Sequence, residues 1–171
     1  MLVVIDMQAR LLPHLDGGER LSERVATLLR AANLLDVPVV ATEQNPGGLG
    51  GTADALLADM RSATVIDKDT FDATLAPAFV AALPPSPAAL WVLGAEAHVC
   101  VLLTVLGLLR LGYRVELVAD GVASRRAADR DIALERAKQE GARLTTVETT
   151  IFGWLGSYRH PRFREALALM K

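Results

Sequence analysis

The chain has 171 residues, of which 51% are hydrophobic and 22% charged, and it carries a formal net charge of −2. That balance describes one ordinary globular domain over residues 1–171 and excludes a disordered chain, and the charge gives no electrostatic footing for nucleic acid or an anionic membrane. A single cysteine, Cys100, excludes an intramolecular disulfide framework and a cysteine-rich zinc site, and it suits a reducing compartment.

In chain order, Leu2 to Ile5 is a continuous apolar run ended by Asp6, the pattern of a strand buried on both faces. This opening is too short and too poor in basic residues for a signal peptide. No run in the chain is long enough to span a bilayer, so a cytoplasmic protein is expected. A loop holding Pro13, His14 and Gly17-Gly18 leads to a helix from about Glu19 to Leu35, with Leu21, Val25, Leu28, Leu29 and Ala32 on one face. Val37 to Ala41 reads as the second strand. The glycine-rich stretch Thr42 to Gly51 is expected to be a mobile flap or an oligomer contact, with Thr52 capping a short helix to about Met60.

Thr64 to Ile66 is the third strand and ends in Asp67-Lys68; a helix from Ala76 to Leu83 stops at Pro84-Pro85. Ala89 to Leu93 is the fourth strand, and His98 to Leu111 a helix with Cys100 in its first turn. Tyr113 to Ala119 is the fifth strand, followed by a turn at Asp120-Gly121 and a helix from Ala127 to Glu140. Ala142 to Glu148 is the sixth strand. Helical segments near Ile151 to Leu155 and from Pro161 to Met170 close the chain.

Six alternations of strand and helix predict an α/β fold: a single-domain, three-layer αβα arrangement around a six-stranded parallel sheet. With right-handed crossovers and the common Rossmann-like order 3-2-1-4-5-6, the ends of strands one and four meet at the switch point where such sheets bind ligands. Asp6, Lys68 and Cys100 all follow the C-terminal ends of strands and so gather at one rim. A helix N-terminus and a lysine both favour a thiolate, Asp6 can accept the proton, and first-turn N–H groups can hold an oxyanion. Taken singly, an aspartate ending a strand is a loop former, a lysine a solvated charge, and a lone cysteine a small buried hydrophobe.

Five segments in the right order carry a family resemblance. Val4-Ile5-Asp6-Met7-Gln8, Thr42-Glu43-Gln44 through Gly48-Leu49-Gly50, Lys68 with Phe71, Gly94-Ala95-Glu96-Ala97-His98-Val99-Cys100-Val101 and Asp120-Gly121-Val122-Ala123-Ser124-Arg125 together resemble the isochorismatase-like cysteine hydrolases. The likeness is to their uncharacterised hydrolase branch, related in fold to the nicotinamidases. One departure is Asp72, where the family usually has serine.

The resemblance implies an Asp6-Lys68-Cys100 triad acting on a small amide or related C–N bond through a thioester. Asp6 would move the proton and Lys68 would hold Asp6 and the thiolate. A cis peptide between Ala95 and Glu96 is implied, with the oxyanion held by the backbone N–H groups of Glu96 and Cys100. It also implies a homo-oligomer, a small-molecule substrate and no cofactor, and the pocket is expected near His14, Leu49 and Phe71.

Other readings meet specific obstacles. Nicotinamidases carry an Asp-x-His metal site after strand two, where this chain has Thr42-Glu43-Gln44-Asn45-Pro46 and no histidine between His14 and His98, so no metal is expected. True isochorismatases lack the cysteine. Gly48 to Ala53 fits a dinucleotide fingerprint, but six residues separate its first glycine from the strand. A catalytically idle binding protein or scaffold on the same fold has to explain why Asp6, Lys68 and Cys100 are all present. His98 and Cys100 do not form a pair, since residues two apart on a helix do not face each other.

Overall fold

A computed structural model describes residues 1–170, and Lys171, the last residue of the expected domain, lies outside them. Six strands, β1 (Leu2–Ile5), β2 (Val39–Gln44), β3 (Thr64–Lys68), β4 (Ala89–Ala95), β5 (Arg114–Ala123) and β6 (Arg143–Thr145), form one sheet in the order β3-β2-β1-β4-β5-β6. Every pairing is parallel. The expected order therefore holds, with β1 between β2 and β4 at the switch point.

Among the described residues, eight α-helices flank the sheet, six between strands and two after β6: α1 (Gly18–Leu34), α2 (Pro46–Leu49), α3 (Asp54–Leu57), α4 (Pro77–Ala82), α5 (Leu102–Arg110), α6 (Ala127–Gln139), α7 (Val147–Leu155) and α8 (Phe163–Ala168). The two-residue alternation of β1 assigns them to layers. Leu2 and Val4 face a core built with α1, α3, α7 and α8 through Leu28, Leu56, Ile151 and Ala166. Val3 and Ile5 face the other core, where α4, α5 and α6 contribute Phe79, Val105, Leu108 and Ala137. Both faces of the sheet are covered, which is why its central strands are uninterrupted apolar runs.

Local chemistry moved several boundaries. β6 stops at Thr145 because Thr146 accepts the Thr149 N–H at 3.1 Å and Asp120 accepts the Val147 N–H at 2.8 Å, so α7 starts four residues earlier than Ile151. Asp120-Gly121 is not a turn. It lies inside β5 where the register with β4 shifts between Val92↔Leu117 and Gly94↔Val122. Thr52 does not cap a helix: its N–H and hydroxyl both donate to Glu43 Oε1, each at 2.6 Å. The stretch around α2 is not a free flap either, since Gln8, Ala9 and Arg10 all donate hydrogen bonds to carbonyls within residues 48–51.

One glycine is required where the site begins. Gly94 (φ +122°) pairs with Ile5, and a Cβ there would run into the Ile5 carbonyl oxygen. The close approach of β4 to β1 brings the turn after β4 against the end of β1.

Candidate active site

Asp6 leaves β1 in the left-handed region (φ 48°) with its side chain fully buried. A non-glycine residue held in this region is a recurrent mark of functional sites. Oδ1 of Asp6 accepts from Thr42 Oγ1 at 2.6 Å, and Oδ2 from Lys68 Nζ at 2.8 Å. Thr42 is the register partner of Ile5 on the neighbouring strand, so parallel pairing delivers its hydroxyl to the carboxylate.

Lys68 is the last residue of β3 and has no exposed side-chain surface. Its ammonium also donates to Gln44 Oε1 at 2.8 Å, and Gln44 is its register partner on β2. The Gln44 amide is oriented by donating to the Asp69 carbonyl at 3.0 Å. The Gln44 backbone is clamped in turn by Gln8, which accepts the Gln44 N–H at 2.8 Å and donates to the Gln44 carbonyl at 3.0 Å. A buried charge needs such a set of partners to be tolerated.

Cys100 is not in the first turn of an α-helix. After the cis peptide Ala95–Glu96, residues Ala97–Val101 form a π-helical turn, with the Val101 N–H reaching back to the Glu96 carbonyl, before α5 begins at Leu102. Such wide turns recur at functional sites. The expectation that the surroundings favour a thiolate also fails for the resting state. Burial pushes the Cys100 thiol up to about 12, and the adjacent Asp6 carboxylate adds to this, while Lys68 opposes it. Cys100 thus rests as a thiol beside a carboxylate able to take its proton.

Above these groups opens a cavity of about 610 Å³, within the usual range for small-ligand sites. Asp6, Gln44 and Cys100 line it, as do His14, Leu49 and Phe71, while Lys68 sits behind Asp6 and is not part of the wall. Glu96 and Arg125 border it as an ion pair at 2.9 Å. His98 is not in the wall: its Nδ1 lies 2.9 Å from the Ser124 hydroxyl. Asp72 caps the helical turn Ala73–Leu75 by accepting from the Thr74 N–H and hydroxyl, and it pairs with Arg110 at 3.0 Å. That placement explains how an aspartate is accommodated at this position.

Sequence reasoning assigned no role to Thr42, Gln44, Arg10 or Arg125. For the first two a signal existed. They stand two apart at the end of β2, both buried, with the less buried Glu43 between them. Two polar residues on one face of a buried strand end each need a hydrogen-bond partner there. Among the described residues, no group of three or more His, Cys, Asp and Glu side chains is placed to hold a metal ion. Among the described residues, no helix is long and apolar enough to cross a membrane.

The Isochorismatase domain pattern matches residues 1–149. The chain belongs to the isochorismatase family. Isochorismatase domain-containing protein 2 of Macaca fascicularis is 38% identical over 173 residues, spanning 100% of this chain and 82% of that protein. Among solved structures, the MAR1 ribonuclease of Caenorhabditis elegans superposes with a TM-score of 0.93 at 35% identity, covering 99% of this chain and 88% of that one. The YcaC gene product of Escherichia coli, described as an octameric hydrolase of unknown specificity, superposes with a TM-score of 0.89 over 98% of this chain and 83% of that one. At 24% identity, that likeness speaks for the fold alone. The molecule therefore has the fold of isochorismatase-family hydrolases, with a buried Asp-Lys pair and a cysteine around a cavity at the sheet's switch point.

Proposed function

We propose that this chain is a cysteine hydrolase of small amides or related C–N compounds, working through a thioester on Cys100 with no cofactor. The observation that carries the reading is the buried Lys68–Asp6 pair set against a thiol held in its protonated form. A thiol pushed this high is inert unless a base removes its proton as it attacks. Asp6 takes that proton while the sulfur bonds to the substrate carbonyl carbon. The oxyanion that forms is held by the N–H groups of Glu96 and Cys100. Asp6 then returns the proton to the leaving nitrogen as the C–N bond breaks. Water, deprotonated by Asp6, attacks the thioester; the C–S bond breaks, the acid leaves and the thiol is restored. Lys68 holds Asp6 in place throughout.

The whole chain is read as one hydrolase domain. A homo-oligomer is part of the reading: exposed Phe71, Leu75, Phe152 and Tyr158 supply apolar surface, and the Escherichia coli hydrolase of the same fold is octameric. The lone thiol fits a cytoplasmic setting. The name ribonuclease belongs to the Caenorhabditis elegans relative. A net charge of −2 and a cavity of about 610 Å³ favour a small acyl substrate over a polynucleotide, whose binding rests on neutralising several phosphates.

The test is a screen of small amides with intact-mass detection of an acyl adduct. A mass increase confined to Cys100, absent from Cys100→Ala, is expected for any amide turned over. Turnover retained by Cys100→Ala would refute the mechanism, and no adduct or turnover with any amide would favour an idle binding protein.

A further inference from the structure

The charges around the cavity wall cancel in pairs, with one exception. Asp6 is matched by Lys68 at 2.8 Å, and Glu96 by Arg125 at 2.9 Å. Arg10 also lines the cavity, and no carboxylate lies within ion-pair distance of it among the described residues. Its position is nevertheless defined. The backbone N–H of Arg10 donates to the Leu49 carbonyl at 3.1 Å, and its Nη1 to the Gly48 carbonyl at 3.0 Å. Arg10 is an exposed residue, so its guanidinium is tethered to α2 by one nitrogen while its further N–H donors face solvent, where a ligand can reach them. The same wall also carries the apolar side chains Leu11, Leu49, Phe71 and Val99.

We propose that the cavity selects an amide carrying one carboxylate, which pairs with Arg10 while the amide carbonyl meets Cys100. This rests on Cys100 being the nucleophile. A wall with one uncompensated positive charge is matched by a monoanion. A dianionic phosphate would bring a second charge with no partner. The guanidinium fork suits a carboxylate, and a charge-assisted hydrogen bond at an open rim contributes more to selectivity than to affinity. The apolar stretch of wall then covers the linker between the two ends of the substrate.

Two series of chloroacetamides test this without knowledge of the natural substrate. One carries a carboxylate at the end of an alkyl chain of increasing length; the other ends in a methyl group at the same lengths. In labelling, the Cys100 sulfur displaces chloride, the C–S bond forms as C–Cl breaks, and the thiol proton passes to Asp6. Rates are read by intact mass. At one chain length the carboxylate probe should label about tenfold faster than its neutral match, the scale of one charge-assisted contact. The ratio should fall toward one in Arg10→Gln, persist in part in Arg10→Lys, and shrink in the unaltered protein as salt is raised. Ratios within about twofold at every length, or a preference that survives in Arg10→Gln, would overturn the proposal. In either case, labelling of Cys100 by the neutral series would leave the nucleophile reading standing. If neither series labels Cys100, the nucleophile reading falls and the substrate class falls with it.

Discussion

Two acid–base pairs border the same cavity at almost the same separation, Asp6–Lys68 at 2.8 Å and Glu96–Arg125 at 2.9 Å. Their surroundings are opposite. Both side chains of the first have no exposed surface, whereas Arg125 is 61% exposed and Glu96 12%. Water screens the second pair, and holding two long side chains together offsets most of what attraction remains. For the first pair, neither charge can stay without the other, because each has lost its hydration and has only protein groups in return. Distance alone therefore says little about what a pair does. Burial makes the Asp6–Lys68 pair a single unit, and the Thr42 and Gln44 contacts complete it.

The largest effect should come from breaking that unit. Lys68→Met leaves Asp6 buried and unpaired, and urea unfolding should show a loss of about 3–5 kcal/mol, with no acyl adduct on Cys100. Combining it with Asp6→Leu should recover most of the stability and none of the chemistry. A double variant as unstable as the single one would mean that the pair's worth lies in its other hydrogen bonds.

A second effect, seen only at alkaline pH, concerns the thiol that the pair faces. Because the folded state raises the Cys100 pKa from an ordinary value near 9 to about 12, the native form binds this proton more tightly than the unfolded one. That contribution is complete below pH 9 and is lost as pH rises from there through about 12. Urea midpoints measured across this window should therefore fall more steeply for the unaltered protein than for Cys100→Ala. Parallel curves would indicate a thiol with ordinary ionisation.

The smallest effect is expected at the rim. Arg125→Ala should change stability by less than about 1 kcal/mol in the same urea experiment, and less still at high salt. A loss comparable to that of Lys68→Met would erase the contrast between the two pairs.

Much of this molecule is legible in its amino-acid order. Apolar runs such as Leu2 to Ile5 and Leu90 to Leu93 mark strands because a sheet covered on both faces demands them. Strict alternation with helices leaves few ways to order six strands, and the common one places Asp6, Lys68 and Cys100 at one rim. The cis peptide that the family resemblance implies at Ala95–Glu96 is present.

What depended on tertiary structure is the set of partners around those residues. No local pattern says that the Thr42 hydroxyl meets Asp6 or that the Gln44 side-chain oxygen meets Lys68, because both contacts arise from the register of β2 against its neighbours on either side. The protonation of Cys100 was likewise beyond a local reading. Helix N-termini and lysines argue for a thiolate, but only the packed structure sets burial and a carboxylate against them, and these prevail. The lone positive charge of Arg10 is the same kind of fact, since an arginine is uncompensated only once every other charge around it has been placed. Sequence names the chemical groups and the strands that carry them; desolvation and register, which belong to the whole fold, decide which groups meet and in what state of charge.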